Sequence, residues 1–183
     1  TQGTTGPDAN HLPLHLDANT SPQGTLVGHV ARANPLWRNT AGSEVLAIFH
    51  GPQAYVTPSW YPTKHEHGKA VPTWNYVVVH ARGRLRAVDD AAWLRRQLEV
   101  LVDSHESGFD TPWRVTDAPP DYIDKMLAAI VGIEIEITEL TGKWKISQNQ
   151  PEANRAGVVA GLRGQESAEA LAVADLVARI SRP

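Results

Sequence analysis

Ile133-Glu134-Ile135-Glu136-Ile137 alternates without a break between β-branched and acidic side chains. A period of two puts every Ile on one face of a strand and every Glu on the other, so one face is buried and the other wet. Downstream, Thr141-Gly142 reads as a hairpin turn into a strand at Lys143 to Ser147. Upstream, Thr73 to Val88 carries the densest strand signal, Tyr76-Val77-Val78-Val79-His80, whose residues fit a pleated surface. Glu44 to His50 is a shorter apolar run that meets a turn signal at Gly51-Pro52, with Ala54 to Tyr61 as its partner across the turn. Leu26 to Val30 is a further strand. His11 to Leu16 also alternates, and Pro13 confines it to a sheet edge.

Helices fill the gaps. Asp89 caps a helix running to about Ser104, with Leu94, Leu98, Leu101 and Val102 on one face. Pro119-Pro120 leads into a short helix with a stripe of Ile123, Met126, Leu127 and Ile130. Ser167 starts a last helix, with Val173, Leu176, Val177 and Ile180 inward. Five or six strands joined by turns, with three helices around them, describe a mainly β, α+β fold: an antiparallel barrel with peripheral helices. The chain reads as one domain over 1–162, with 163–183 a C-terminal helix packed on it.

Composition narrows the chemistry. Twenty acidic against seventeen basic side chains leave a net charge of -3, which argues against a polycation that coats nucleic acid. Zero cysteines exclude disulfides, thiolate metal sites and a catalytic thiol. No apolar run approaches the roughly 20 residues that span a bilayer, so the expectation is a soluble, cytoplasmic protein. There is no G-x-S-x-G, P-loop, G-x-G-x-x-G or H-E-x-x-H motif. His65 and His67 flank Glu66, but a lone His-x-His in a Gly- and Lys-containing loop reads as solvated rather than as zinc ligands.

Three clusters carry more information: His29, Arg32 and Asn34; Trp74 and Asn75; and Trp144, Lys145, Ser147 and Gln148 with Asn149. Each sets cationic or amide donors near a strand, two of them beside an indole. Such a mixture suits a planar ligand bearing a phosphate, as in flavin mononucleotide (FMN). Each residue also has a plainer use. Tryptophans pack cores, and Arg32 can cap carbonyls or pair with Asp8 or Asp17.

The order of several longer stretches resembles a known family. These are ANHLP (9–13), GHVARANPLW (28–37), GPQAYVTPSWY (51–61), VPTWNYVVVHARG (71–83), LVDSHE (101–106), DYIDKMLAAIVGIEIEI (121–137), GKWKISQN (142–149) and GVVAGL (157–162). Together they resemble the PaiB-type FMN-binding negative transcriptional regulators of the split-barrel, pyridoxamine-phosphate-oxidase-like superfamily. The resemblance implies a six-stranded antiparallel split β-barrel that forms a homodimer, with FMN held where two subunits meet. It places the phosphate near Arg32 and Asn34, after the strand bearing His29. His11 and Leu12 would run along the isoalloxazine edge, and Trp74 and Asn75 would approach from the central strand. Trp144, Lys145, Ser147 and Gln148 would come from the second subunit. The superfamily's Arg-Lys phosphate pair is Arg32-Ala33 here, with Lys64 or Lys69 as the replacement cation. The family also implies a leading segment ahead of residue 9.

For function, the resemblance implies transcriptional regulation, while the residues support only a flavin. No DNA-binding motif is present, and Arg82, Arg84 and Arg86 with Lys143 and Lys145 read as a solvated sheet face, so DNA enters by family label alone. A flavin-dependent oxidoreductase is the competing reading. A heme-binding split barrel using His29, His11 or His80 is a third.

Overall fold

The computed structural model describes residues 1–3, 6–39 and 42–180. A small antiparallel ribbon joins β1 (Gln2–Gly3) and β2 (Gly6–Pro7). Five strands form the main sheet: β3 (His15–Asp17), β4 (Thr25–Ala31), β5 (Glu44–Val56), β6 (Thr73–Val88) and β7 (Ile130–Lys145), in the order β3-β4-β7-β6-β5. The helices are α1 (Leu36–Asn39), α2 (Lys64–His67), α3 (Ala91–Glu106), α4 (Pro120–Ala128), α5 (Glu152–Arg163) and α6 (Ala168–Ala178). The fold is thus mainly β with peripheral helices, though its main sheet has five strands rather than six. No helix among the described residues is long and apolar enough to cross a membrane.

The residues gather into two compact units, 1–47 with 81–140 and 48–80 with 141–183. In the first, β4 runs antiparallel to β7, pairing Leu26 with Ile135, Gly28 with Ile133 and Val30 with Val131. Ile133, Ile135 and Ile137 are buried with Leu26, Val30, Val45 and Leu85, while Glu136 on the alternate face is exposed. A second cluster in this unit closes α3 on α4 through Leu94, Ile123 and Leu127. In the other unit, Val56 and Tyr61 are buried with Val158 and Leu162 of α5 and Val173 and Val177 of α6.

Two expected turns lie inside strands. β5 continues through Gly51-Pro52 because it is the edge of the sheet, where a residue without an N–H forfeits no ladder bond. A Cβ at Gly51 would sit 3.0 Å from Val77 Cβ, so the glycine serves close packing. β7 likewise continues through Thr141-Gly142, and Gly142 leaves room for the Trp144 ring. Of the stretch His11 to Leu16, only the end is strand. Leu12 and Leu14 pack on the core from a coil, and Gly28 admits that coil, since a Cβ there would meet Leu14 Cδ2 at 2.8 Å and the Pro13 carbonyl at 2.9 Å.

Helix assignments shift as well. The cap of α3 is Asp90, which accepts from Trp93 N, because Asp89 is taken by Arg32. Lys64–His67 forms one helical turn rather than a loop. Met126 of α4 is exposed and Ile130 belongs to β7, so only Ile123 and Leu127 of that stripe are buried in the helix. Ser167 caps α6 as expected, its hydroxyl accepting from Ala170 N. α5 was not anticipated. Its Gly157 and Gly161 depress helical propensity, yet both are required, because Cβ atoms there would overlap the Trp60 carbonyl and the Trp60 ring.

Candidate functional site

The first unit spends its predicted site residues on internal bonds. Arg32, just past β4, grips Asp89 with both terminal nitrogens at 2.8 and 2.6 Å. Its Nε donates to the Ala128 carbonyl at 2.7 Å and Nη2 to the Ile130 carbonyl at 3.0 Å. Four of its five N–H donors are therefore used, two of them on carbonyls at or just past the end of α4. The hydrogen bonds to Asp89 push the guanidinium further up its range, and those from Arg32 hold the Asp89 carboxyl below the usual carboxylate range. Of the plainer uses open to Arg32, carbonyl capping is present, and its carboxylate partner is Asp89. Asn34 caps α1, its Oδ1 accepting from Leu36 N at 2.8 Å while Nδ2 donates to Asn10 Oδ1 at 2.7 Å. His29 Nδ1 lies 3.0 Å from Gln97 Oε1 on α3. His11 is exposed and Leu12 is half-buried against the core.

In the second unit, Asn75 is 0% exposed. Its Nδ2 donates to Ser147 Oγ at 2.9 Å, and that hydroxyl faces Asn75 Oδ1 at 3.3 Å. Ser147 takes a φ of 63°, a left-handed conformation that the buried Asn75 pair helps to fix. Gln148 closes the same turn: Oε1 accepts from Ile146 N at 2.9 Å and Nε2 donates to the Trp144 carbonyl at 2.6 Å. These three amide and hydroxyl groups thus build the turn after β7.

What they leave outward is aromatic and cationic. Trp144 is 47% exposed and Trp74 46%. Trp74 Nε1 donates to Gln53 Oε1 at 3.0 Å, and its ring tilts at 57° to Tyr55 with centroids 6.3 Å apart. Lys145 is exposed and donates to Thr73 Oγ1 at 2.7 Å, leaving further ammonium donors for a ligand. Lys143 Nζ stands 5.7 Å over the Tyr76 ring. Indoles with open faces and a cation with spare donors are the chemistry a flavin ring and phosphate require, so this donor set fits FMN.

Sequence reasoning missed the residues around α3. Trp93 Nε1 donates to Glu134 Oε1 at 3.0 Å, and Glu134 also pairs with Arg86. These three border a groove of about 710 Å³ that also takes in Arg84, Thr20 and Asp17. The groove holds three carboxylates, Asp17, Glu134 and Glu136, against two guanidiniums, so it suits a phosphate less well than the end of β7 does. A signal for Gln97 existed. It falls three residues after Leu94 and four before Leu101, a polar side chain on the apolar stripe of its helix.

Comparison with known proteins decides the family. The family model described as "Putative FMN-binding domain" matches residues 1–139. The chain belongs to this FMN-binding family. The "Protease synthase and sporulation protein PAI 2" of Bacillus subtilis is 32% identical over 172 residues, covering 93% of this chain and 80% of the relative. That coverage is too wide to leave out residues 142–149. An uncharacterised protein of Emericella nidulans is 34% identical over 201 residues, 92% of this chain and 80% of the relative. Among solved structures, the flavocytochrome Anf3 from Azotobacter vinelandii aligns with a TM-score of 0.45 at 14% identity, over 72% of this chain and 59% of that one. The family model makes FMN the cofactor, and the Bacillus relative upholds the PaiB-type resemblance.

Proposed function

We propose that this FMN-binding protein acts as a PaiB-type regulator and a homodimer, in which the end of β7 in each copy offers Trp144 and Lys145 to a flavin. The observation that carries this reading is the pair of half-exposed indoles, Trp74 and Trp144, in a unit whose neighbouring polar groups are already bonded to one another. Large open aromatic faces beside an unspent ammonium favour a planar anion over bare solvent. Bound FMN would supply electron and hydride transfer at its ring. The chain's own part is to cover the ring with indole, to set Lys145 against its negative charge, and to hold Trp144 through the Gln148 turn. Asn75 and Ser147 build that frame, while Arg32 and Asn34 brace the first unit.

The homodimer rests on β5, which exposes Leu46, Ile48 and Phe49 along an edge strand. Direct reading of DNA has less support. Arg82 pairs with Glu139 and Arg86 with Glu134, and the net charge is -3, so regulation through flavin redox state or a protein partner fits better. An absorption titration with FMN, paired with light-scattering mass, tests the reading. Saturable binding at micromolar affinity by a two-chain species, weakened in Trp144→Ala and retained in Arg32→Ala, is expected. A monomer whose FMN affinity ignores Trp144 overturns it. Steady NAD(P)H oxidation dependent on FMN would shift the function to an oxidoreductase.

A further inference from the structure

We propose that the outer sheet face of the second unit is a platform for single-stranded RNA, on which unpaired bases stack. Ala54 and Val56 of β5 and Asn75 of β6 are buried. The period of two therefore turns Gln53 and Tyr55 of β5, with Trp74 and Tyr76 of β6, to the opposite face. β6 lies between β5 and β7 in the sheet, so the three strands present one surface. Tyr55 and Trp74 are each 46% exposed, and their rings tilt at 57° with centroids 6.3 Å apart. Splayed in this way, each ring can take a separate base. Gln53 Oε1 accepts from Trp74 Nε1 at 3.0 Å, which steadies the indole and leaves the amide hydrogens of Gln53 for a base carbonyl.

Cations border the rings. Lys143 Nζ stands 5.7 Å over the Tyr76 ring, and Lys145 donates to Thr73 Oγ1 at 2.7 Å. Both lysines are exposed, and neither forms an ion pair among the described residues. The carboxylate that meets this face is Glu169, and its Oε2 already accepts from Gln53 N at 2.8 Å along the edge strand. At physiological salt, exposed charges more than about 8 Å away are screened, so this local pair of ammoniums counts for more than the chain's net charge of -3. Open aromatic rings flanked by cations match a polyanion that carries flat bases. A partner protein's apolar side chains would cover the rings but leave both ammoniums unmatched. Duplex DNA keeps its bases stacked on one another, whereas RNA loops and ends present them unpaired. Trp74 and Lys145 also serve the flavin reading, but Tyr55, Tyr76, Gln53 and Lys143 lie beyond it.

Fluorescence anisotropy of a labelled oligouridylate of about ten nucleotides, titrated with the full chain, tests the platform, with a fully paired RNA duplex as control. Saturable binding is expected, at least about tenfold tighter than to the duplex, and log K should fall against log salt with a slope of about -1.4 for two phosphate contacts. Tyr55→Leu keeps apolar bulk without a ring and should weaken binding at least about fivefold. Lys143→Ala should bring the slope to about -0.7. Arg84→Ala, which removes an exposed cation of the first unit, should change nothing. All three side chains are exposed, and melting curves establish that the variants fold. Four outcomes overturn the proposal: no saturable binding, equal affinity for the duplex, affinity unmoved in Tyr55→Leu, or a loss in Arg84→Ala as large as in Lys143→Ala. A chain that binds FMN but not the strand fails this proposal alone, and one that binds the strand but not FMN fails the flavin reading alone.

Discussion

Gly132 and Gly142 lie ten residues apart on β7, and each clears the space an indole needs. At Gly132 the ring is Trp93 from α3, half-buried, with Nε1 bonded to Glu134. At Gly142 the ring is Trp144 from the same strand, half in solvent, with no partner for its Nε1 among the described residues. One local device therefore serves two ends. Where a helix supplies the indole and a carboxylate takes its N–H, the glycine closes a core. Where the strand supplies its own indole and leaves the N–H open, the glycine leaves the ring half in solvent, where the proposed flavin site needs it.

The sharpest way to break this contrast is to fill both notches. Gly132→Val meets the Trp93 ring and the Val88 carbonyl and should lower stability by about 3 kcal/mol, shifting Tm down by roughly 6–12 °C in a chain of this size. Gly142→Val meets only a movable ring, so it should leave Tm within about 2 °C while weakening FMN binding, both readable in one thermal and one absorption series. Equal losses of Tm in the two variants would erase the distinction. Trp144→Ala sharpens it: FMN affinity should fall about tenfold with Tm unchanged, whereas Trp93→Ala should lower Tm by more than any change in FMN affinity explains.

Lys145 gives a smaller effect. Lys145→Ala should weaken FMN several-fold, about threefold to fivefold, and Lys145→Arg should restore it, measured by titration at fixed ionic strength. The smallest effect is a pH dependence in the first unit. Asp89 is held below its usual pKa by hydrogen bonds from Arg32, so its contribution is present above the ordinary carboxylate value near 4 and fades as pH falls through its lower folded value. Urea midpoints of the native chain and Asp89→Asn should therefore differ at pH 6 and converge below about pH 4. A constant gap across that range would show that the pair does not stabilise the fold through its charge.

Much of the fold was legible where burial and periodicity agree. Ile133 to Ile137 and the Ser167 cap are both where alternation and capping chemistry put them. Two of the failures share a cause: at Gly51 and Gly142, glycine was read as punctuation where it serves contact. Gly51, Gly142, Gly157 and Gly161 each admit a neighbour's side chain or backbone, and that neighbour is invisible in a single sequence. The residue types of the site were legible, but their duties were not. Arg32, Asn34, Asn75 and Gln148 all advertise hydrogen bonding, and only the fold reveals that their partners are other parts of the chain.

Pro52 carries a last consequence. Edge strands invite other chains to continue the ladder, and β5, with 13 residues and exposed Leu46, Ile48 and Phe49, is long and greasy enough to template fibrils. A proline near its far end has no N–H to offer, so an incoming strand loses its register there. Copies of the chain can still adhere through side chains, but they are turned away from polymerising as an endless sheet.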